Sequence, residues 1–70
     1  MAEYCVNTNA QSNGDHEVPN LDVSCSFLPD RQNRLALGNH TNCSTAVQKA
    51  KQTYPTADGC FYCAPVCHTR

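Results

Sequence analysis

Three of the six cysteines in this 70-residue chain fall within the stretch Cys60-Phe61-Tyr62-Cys63-Ala64-Pro65-Val66-Cys67-His68. The others, Cys5, Cys25 and Cys43, are spread along the rest of the sequence. Thiols can hold a metal ion as thiolates, oxidise to disulfides, or act as redox and nucleophilic groups. Cys60-x-x-Cys63 has the spacing of a zinc knuckle, in which a tight turn aims both sulfurs at one ion about 2.3 Å away. One such pair is half of a tetrahedral site. The rival reading is a disulfide framework of two or three bridges, whose connectivity the sequence does not define. A redox Cys-x-x-Cys needs its first cysteine at a helix N-terminus in a βαβ context. Here the motif follows the helix, close to the chain end. Cys67-His68 is a poor nucleophile and base, because adjacent side chains of an extended segment point apart. So short a chain also leaves little room for a pocket. The expectation is a protein without catalysis.

The cysteines matter because little else can hold the chain together. Residues 1–70 make a single small domain, and a chain of this length buries only about 60% of the surface it exposes when unfolded. Val, Leu and Phe together number 11, with no Ile and no Trp. So thin a core rarely supplies more than about 3–5 kcal/mol, and a metal or disulfides must add the rest. The net charge of −1 argues against disorder. Its five Lys and Arg are dispersed, which excludes an electrostatic footprint for nucleic acid and a polybasic membrane patch. No apolar run approaches the roughly 18 residues of a membrane-spanning helix. Met1-Ala2-Glu3-Tyr4-Cys5 lacks the basic and apolar regions of a signal peptide. The chain therefore reads as cytoplasmic, where metal is favoured over disulfide. The alternative is a secreted or periplasmic mature chain with a new start Met. Asn39-His40-Thr41 and Asn42-Cys43-Ser44 match the glycosylation pattern, which a chain rich in Asn, Ser and Thr produces by coincidence.

The elements that must position these thiols are short. Residues 3–10 alternate as a strand, with Tyr4, Val6 and Thr8 on one face and Cys5 on the other. Asn13-Gly14 predicts a hairpin through a two-residue type I′ turn. That register sets Val6 opposite Leu21 and Tyr4 opposite Val23. Cys25-Ser26-Phe27-Leu28-Pro29 ends the second strand, Asp30 to Asn33 is a turn, and Arg34 to Gly38 is a third strand. Cys43, Val47, Ala50 and Tyr54 recur at helical spacing beside Ala46, behind a cap at Thr41 or Asn42. Pro55 stops that helix at Tyr54. Asp58-Gly59 reads as a turn delivering Cys60. Cys43, on the apolar face, has a ready reading as a buried inert thiol, and His40 as a solvated loop residue. The five aromatics, Tyr4, Phe27, Tyr54, Phe61 and Tyr62, are few enough for the core to absorb. The fold class predicted is α+β: an N-terminal β-hairpin, a third short strand and one helix packed on the sheet, stapled by zinc or disulfides.

Cys25, then Asn33-Arg34-Leu35-x-Leu37, a helix with Ala46 and Ala50, and a turn into Cys60-x-x-Cys63-x-Pro65 resemble a small bacterial metal-binding module. That module lies at the N-terminus of the methylated-DNA repair protein Ada, and shorter versions accompany some nucleases. The resemblance covers roughly Gly14 to Pro65. It implies that Cys25, Cys60 and Cys63 are zinc ligands, close together in space. The chain departs from the module's pattern in three ways. His16 lies nine residues before Cys25 rather than three to five, the helix is longer and carries Cys43, and Cys67-His68 trails the knuckle. The fourth ligand is open between His16, Cys67, His68 and Cys5. His16 completes the predicted set of Cys25, Cys60, Cys63 and His16, although the hairpin register puts it and Cys25 on opposite faces. A bulge at Pro19 reverses that.

Two functions follow as expectations. The first is a monomeric, cytosolic, bacterial-style binding module with a structural zinc, contacting an unknown protein or small ligand. The second is a disulfide-stapled extracytoplasmic inhibitor, toxin or immunity-like factor. In either case Cys60→Ser or Cys63→Ser is expected to unfold the domain. Cys67→Ser, near the chain end, is expected to be milder.

Overall fold

The computed structural model describes residues 1–23 and 28–69. Cys25 to Phe27, in the predicted end of the second strand, lie outside the described residues. Four short strands, β1 (Ala2–Asn7), β2 (His16–Val18), β3 (Arg34–His40) and β4 (Ala57–Gly59), accompany one helix, α1 (Cys43–Lys51). Short 3₁₀ turns occupy Arg31–Asn33 and Pro65–Cys67. The strands form two small sheets, β1 antiparallel to β3 and β2 parallel to β4. This is the small α+β domain predicted, with one helix packed on strands.

The reversal at Asn13-Gly14 is present, with different chemistry. Only Gly14 has positive φ, at 90°, so the turn is not type I′. Asn13 keeps an ordinary backbone and uses its side chain instead, its Oδ1 accepting from the Asp15 N–H at 3.0 Å. The Gly14 N–H donates to the Gln11 carbonyl, and the Gln11 N–H to the Asp15 carbonyl. That makes a three-residue loop with Gly at its end. The register slips accordingly. Tyr4 meets Asn20, not Val23, and the Leu21 N–H reaches the Glu3 carbonyl. Val23 is left exposed. The regular ladder of β1 is made with β3.

That ladder carries a bulge. Tyr4 faces Gly38 and Cys5 faces Ala36, so Leu37 has no residue opposite it. Gly38 takes up the distortion at φ 83°. The consequence is a buried Leu37 between exposed neighbours. Leu37 joins Tyr4, Val6, Val18, Ala46, Val47, Ala50 and Ala57 in one cluster. Among the described Val, Leu and Phe residues, only Val6, Val18, Leu37 and Val47 are buried in it. The core is thinner than composition implied, because Leu35, Phe61, Tyr62 and Val66 are all exposed.

α1 begins where the local signals place it. The Asn42 side chain accepts from the Thr45 N–H, a cap contributing about 1 kcal/mol. Ala46, Val47 and Ala50 form its buried stripe. It ends at Lys51 rather than Tyr54, because the last turn tightens: the Thr53 and Tyr54 N–H groups both reach the Ala50 carbonyl. His40 is not a solvated loop residue. It closes β3, with Nε2 donating to the Leu37 carbonyl at 2.8 Å and Nδ1 at 2.9 Å from Thr45 Oγ1. Asp58-Gly59 is not a free turn either, since both residues lie in β4 alongside Glu17 and Val18.

Candidate functional site: the cysteine-rich strap

β4 feeds the thiol-rich end of the chain. The Cys60 N–H donates to the Val18 carbonyl, continuing the β2–β4 pairing by one residue. The chain then turns at once, and the Ala64 N–H returns to the Cys60 carbonyl at 2.9 Å. This turn brings Cys60 and Cys63 together. The Tyr62 and Cys63 backbone N–H groups and the Cys63 side chain hydrogen-bond to the Cys60 sulfur. Burial nonetheless dominates and pushes the Cys60 thiol up, with the hydrogen bonds pulling the other way. Cys63 is half-buried.

Nothing local in the chain links Cys43 to Cys67, yet they form a disulfide with Cα atoms 6.1 Å apart. Cys43 is thus not an inert thiol, and Cys67 is not available as a metal ligand. The bond ties the first turn of α1 to a residue near the chain end, across 24 residues. Ser44 Oγ lies 3.7 Å from Cys67 Sγ. The fit behind the bond is close. A Cβ on Gly59 would stand 2.6 Å from Cys67 Cβ and 2.8 Å from the Ala64 carbonyl oxygen. Gly59 is needed here for the contact rather than for its backbone angle.

A polar cluster secures the last residues. Buried Asp58 accepts from the Thr69 N–H at 3.0 and 3.1 Å and from the Thr69 hydroxyl at 2.9 Å. His68 Nδ1 donates to the Gly59 carbonyl at 3.1 Å and lies 3.4 Å from Asp58 Oδ2. The tail therefore folds back against β4. Asp58, His68 and Thr69 were not legible as a group, because Asp-Gly advertises a turn and nothing local links it to a residue eleven positions on.

The predicted metal set is only partly brought together. Cys60 and Cys63 are adjacent, and N–H groups aimed at the first sulfur suit a thiolate in a metal knuckle. Cys25 lies outside the described residues. His16 is held at the start of β2, where Nδ1 donates to the Asn7 carbonyl at 2.8 Å. Its ring stacks on Tyr54, with centroids 4.1 Å apart. Cys5 is buried in β1, with its thiol pushed up chiefly by burial. Among the described residues no three His, Cys, Asp or Glu side chains converge as metal ligands would. Among the described residues His16, Cys5 and His68 are not grouped with Cys60 and Cys63. The described residues fit half of a zinc site.

The same loop displays apolar surface. Phe61 and Tyr62 are 58% and 60% exposed and pack edge to face, 5.1 Å between centroids. Val66 is 90% exposed. These aromatics are not absorbed by the core, contrary to expectation. No cavity is found among the described residues, and no helix among them is long and apolar enough to cross a membrane. Comparison of the chain with protein-family models, with curated proteins and with solved structures found no match in any of the three.

Proposed function

We propose that this chain is a small non-catalytic binding module whose cysteines hold a recognition loop in shape. The observation carrying the reading is the Cys43–Cys67 disulfide. It fixes the far end of a loop on which Phe61, Tyr62 and Val66 are exposed. Aromatic side chains held out on a constrained loop suit a protein partner, since rigid aromatics supply contact area at low entropic cost. The disulfide favours an oxidising compartment, secreted or periplasmic, as the setting of this module.

A second reading is favoured by the turn at Cys60. Backbone N–H groups directed at its sulfur are what a zinc-bound thiolate needs. In that reading Cys25, Cys60 and Cys63 hold a structural zinc in a cytoplasmic protein, as the resemblance to the Ada module implies. The two are compatible within one chain if Cys43–Cys67 is oxidised and the knuckle is metallated.

Intact mass under native and denaturing conditions, with and without reductant, tests both. The disulfide reading expects a gain of about 2 mass units per bridge on reduction. The zinc reading expects loss of one metal ion on denaturation. A mass that changes in neither way sinks both staples. For the loop, a Phe61→Ser/Tyr62→Ser double variant should keep the parent melt and lose partners that the parent retains. If it retains them, the loop is not the contact surface.

A further inference from the structure

The chain beyond β4 is held by few contacts, and they are of a particular kind. Residues 61–69 wrap back over Gly59, yet Ala64 alone among them is buried. None of the large core side chains, Tyr4, Val6, Val18, Leu37 and Val47, comes from the wrap. Two locks hold it down. One is the Cys43–Cys67 bond to the first turn of α1. The other is the polar cluster on β4, where the Asp58 carboxylate takes the Thr69 N–H and hydroxyl and the Gly59 carbonyl accepts from His68 Nδ1. The disulfide lies within reach of solvent, for both of its cysteines are only half-buried.

We propose that residues 61–69 form a redox-released strap. It is closed when Cys43 and Cys67 are joined, and a small thiol opens it by reducing that bond while the sheets and helix stay folded. The proposal rests on the disulfide reading above. The chemistry balances with a monothiol of the glutathione class. Its thiolate attacks one sulfur of the Cys43–Cys67 bond, and the other sulfur leaves and takes a proton. A second thiol molecule then displaces the protein sulfur from the mixed disulfide. Two protein thiols and one molecule of small-molecule disulfide result.

Once the bond is broken, the strap is a chain end of mostly exposed residues. Asp58, the His68 hydrogen bond to the Gly59 carbonyl and a few backbone hydrogen bonds hold it, and segments held so lightly open locally. Opening lifts Cys67 off Gly59 and frees the loop bearing Phe61, Tyr62 and Val66 from its fixed shape. The Asp58–Thr69 contacts reseat the strap, which brings Cys67 back to Cys43 for reoxidation.

Amide hydrogen exchange of the full chain, oxidised and reduced, tests this, with peptide mapping of the bridge and a Cys43→Ser variant alongside. The Cys67, His68 and Thr69 amides donate to the Ala64 carbonyl, the Pro65 carbonyl and Asp58. They should be protected in the oxidised protein. Reduction, or Cys43→Ser, should speed their exchange at least about tenfold more than that of the β1 and β3 amides. Strap amides that stay protected after reduction would show that the polar cluster suffices and that no switch exists. Equal loss of protection in β1 and β3 would mean that the bond staples the whole domain, which also overturns the proposal. Mapping that finds Cys43 and Cys67 unbridged in the isolated protein sinks the disulfide reading itself, and the strap with it.

Discussion

The β1–β3 sheet and the strap beyond β4 lie against the same helix but are held by different forces. In the sheet, Tyr4, Val6 and Leu37 are buried, and a ladder of backbone hydrogen bonds joins the strands. In the strap, Phe61, Tyr62 and Val66 face outward, and a disulfide, a buried carboxylate and a close approach at Gly59 do the holding. Burial is non-directional and cooperative, so damage to the sheet spreads through the fold. Covalent and polar locks are local, so damage to the strap remains near it unless the cross-link also stabilises the whole. A chain with so few large apolar residues spends them on one region and secures the other by bonding.

This contrast predicts effects of graded size, and the sheet core should show the greatest. Leu37→Ala should cost about 2–5 kcal/mol, because the bulge turns Leu37 inward and its side chain is buried in the core. Thermal melts should show sheet and strap lost in one transition. A strap that survives loss of the sheet would mean that the two regions are independent.

Next come Cys43→Ser and Cys67→Ser, which should be equal, since each removes the same bond. Urea titration should give a loss of about 2–4 kcal/mol for either, with the sheet still formed in water. Cys67→Ser is therefore expected to cost more than its place near the chain end implied. A Cys67→Ser variant as stable as the parent would falsify the bond's role.

A pH effect of smaller size tests burial in the sheet. Burial raises the Cys5 thiol above its ordinary range, so the folded state holds this proton more tightly than the unfolded chain does. Its contribution is fully present below the unfolded thiol value of about 8.5 and is lost as pH rises from there through the folded value. Stability measured in urea should decline across that alkaline window. Cys5→Ala should reduce the slope, and an unchanged slope would assign the decline to other groups.

The smallest effect is expected at the strap surface. Phe61→Ser should shift stability by no more than about 0.5 kcal/mol, because the side chain is largely in water. A loss comparable to that of Leu37→Ala would show that the loop aromatics belong to a core.

Local signals were read correctly where one stretch of chain contains its own answer. The helix start at Asn42 follows from a side-chain oxygen three residues before an orphan N–H. The stripe of Ala46, Val47 and Ala50 follows from a period that one helix face must obey. The Cys60-x-x-Cys63 turn closes through bonds spanning only a few residues. The reversal at Asn13-Gly14 is present, but its turn type differs, and β1 ladders with β3 rather than with β2. Asn13 could satisfy the turn with its side chain as well as with a left-handed backbone, and sequence does not rank the two.

Composition and local pattern were enough for a small α+β domain with one helix, too little apolar mass for a large core, and a crowd of thiols at its end. Which of those thiols bond depends on how distant elements pack. Cys43 meets Cys67 because α1 packs beside β4 and the tail folds back onto Gly59. β4 itself exists as a strand only because His16–Val18 runs parallel to it. Each of these joins residues far apart in the chain. Local composition sets what a segment can do, whereas long-range pairing depends on closing loops whose cost and reward appear only once the partner elements are in place.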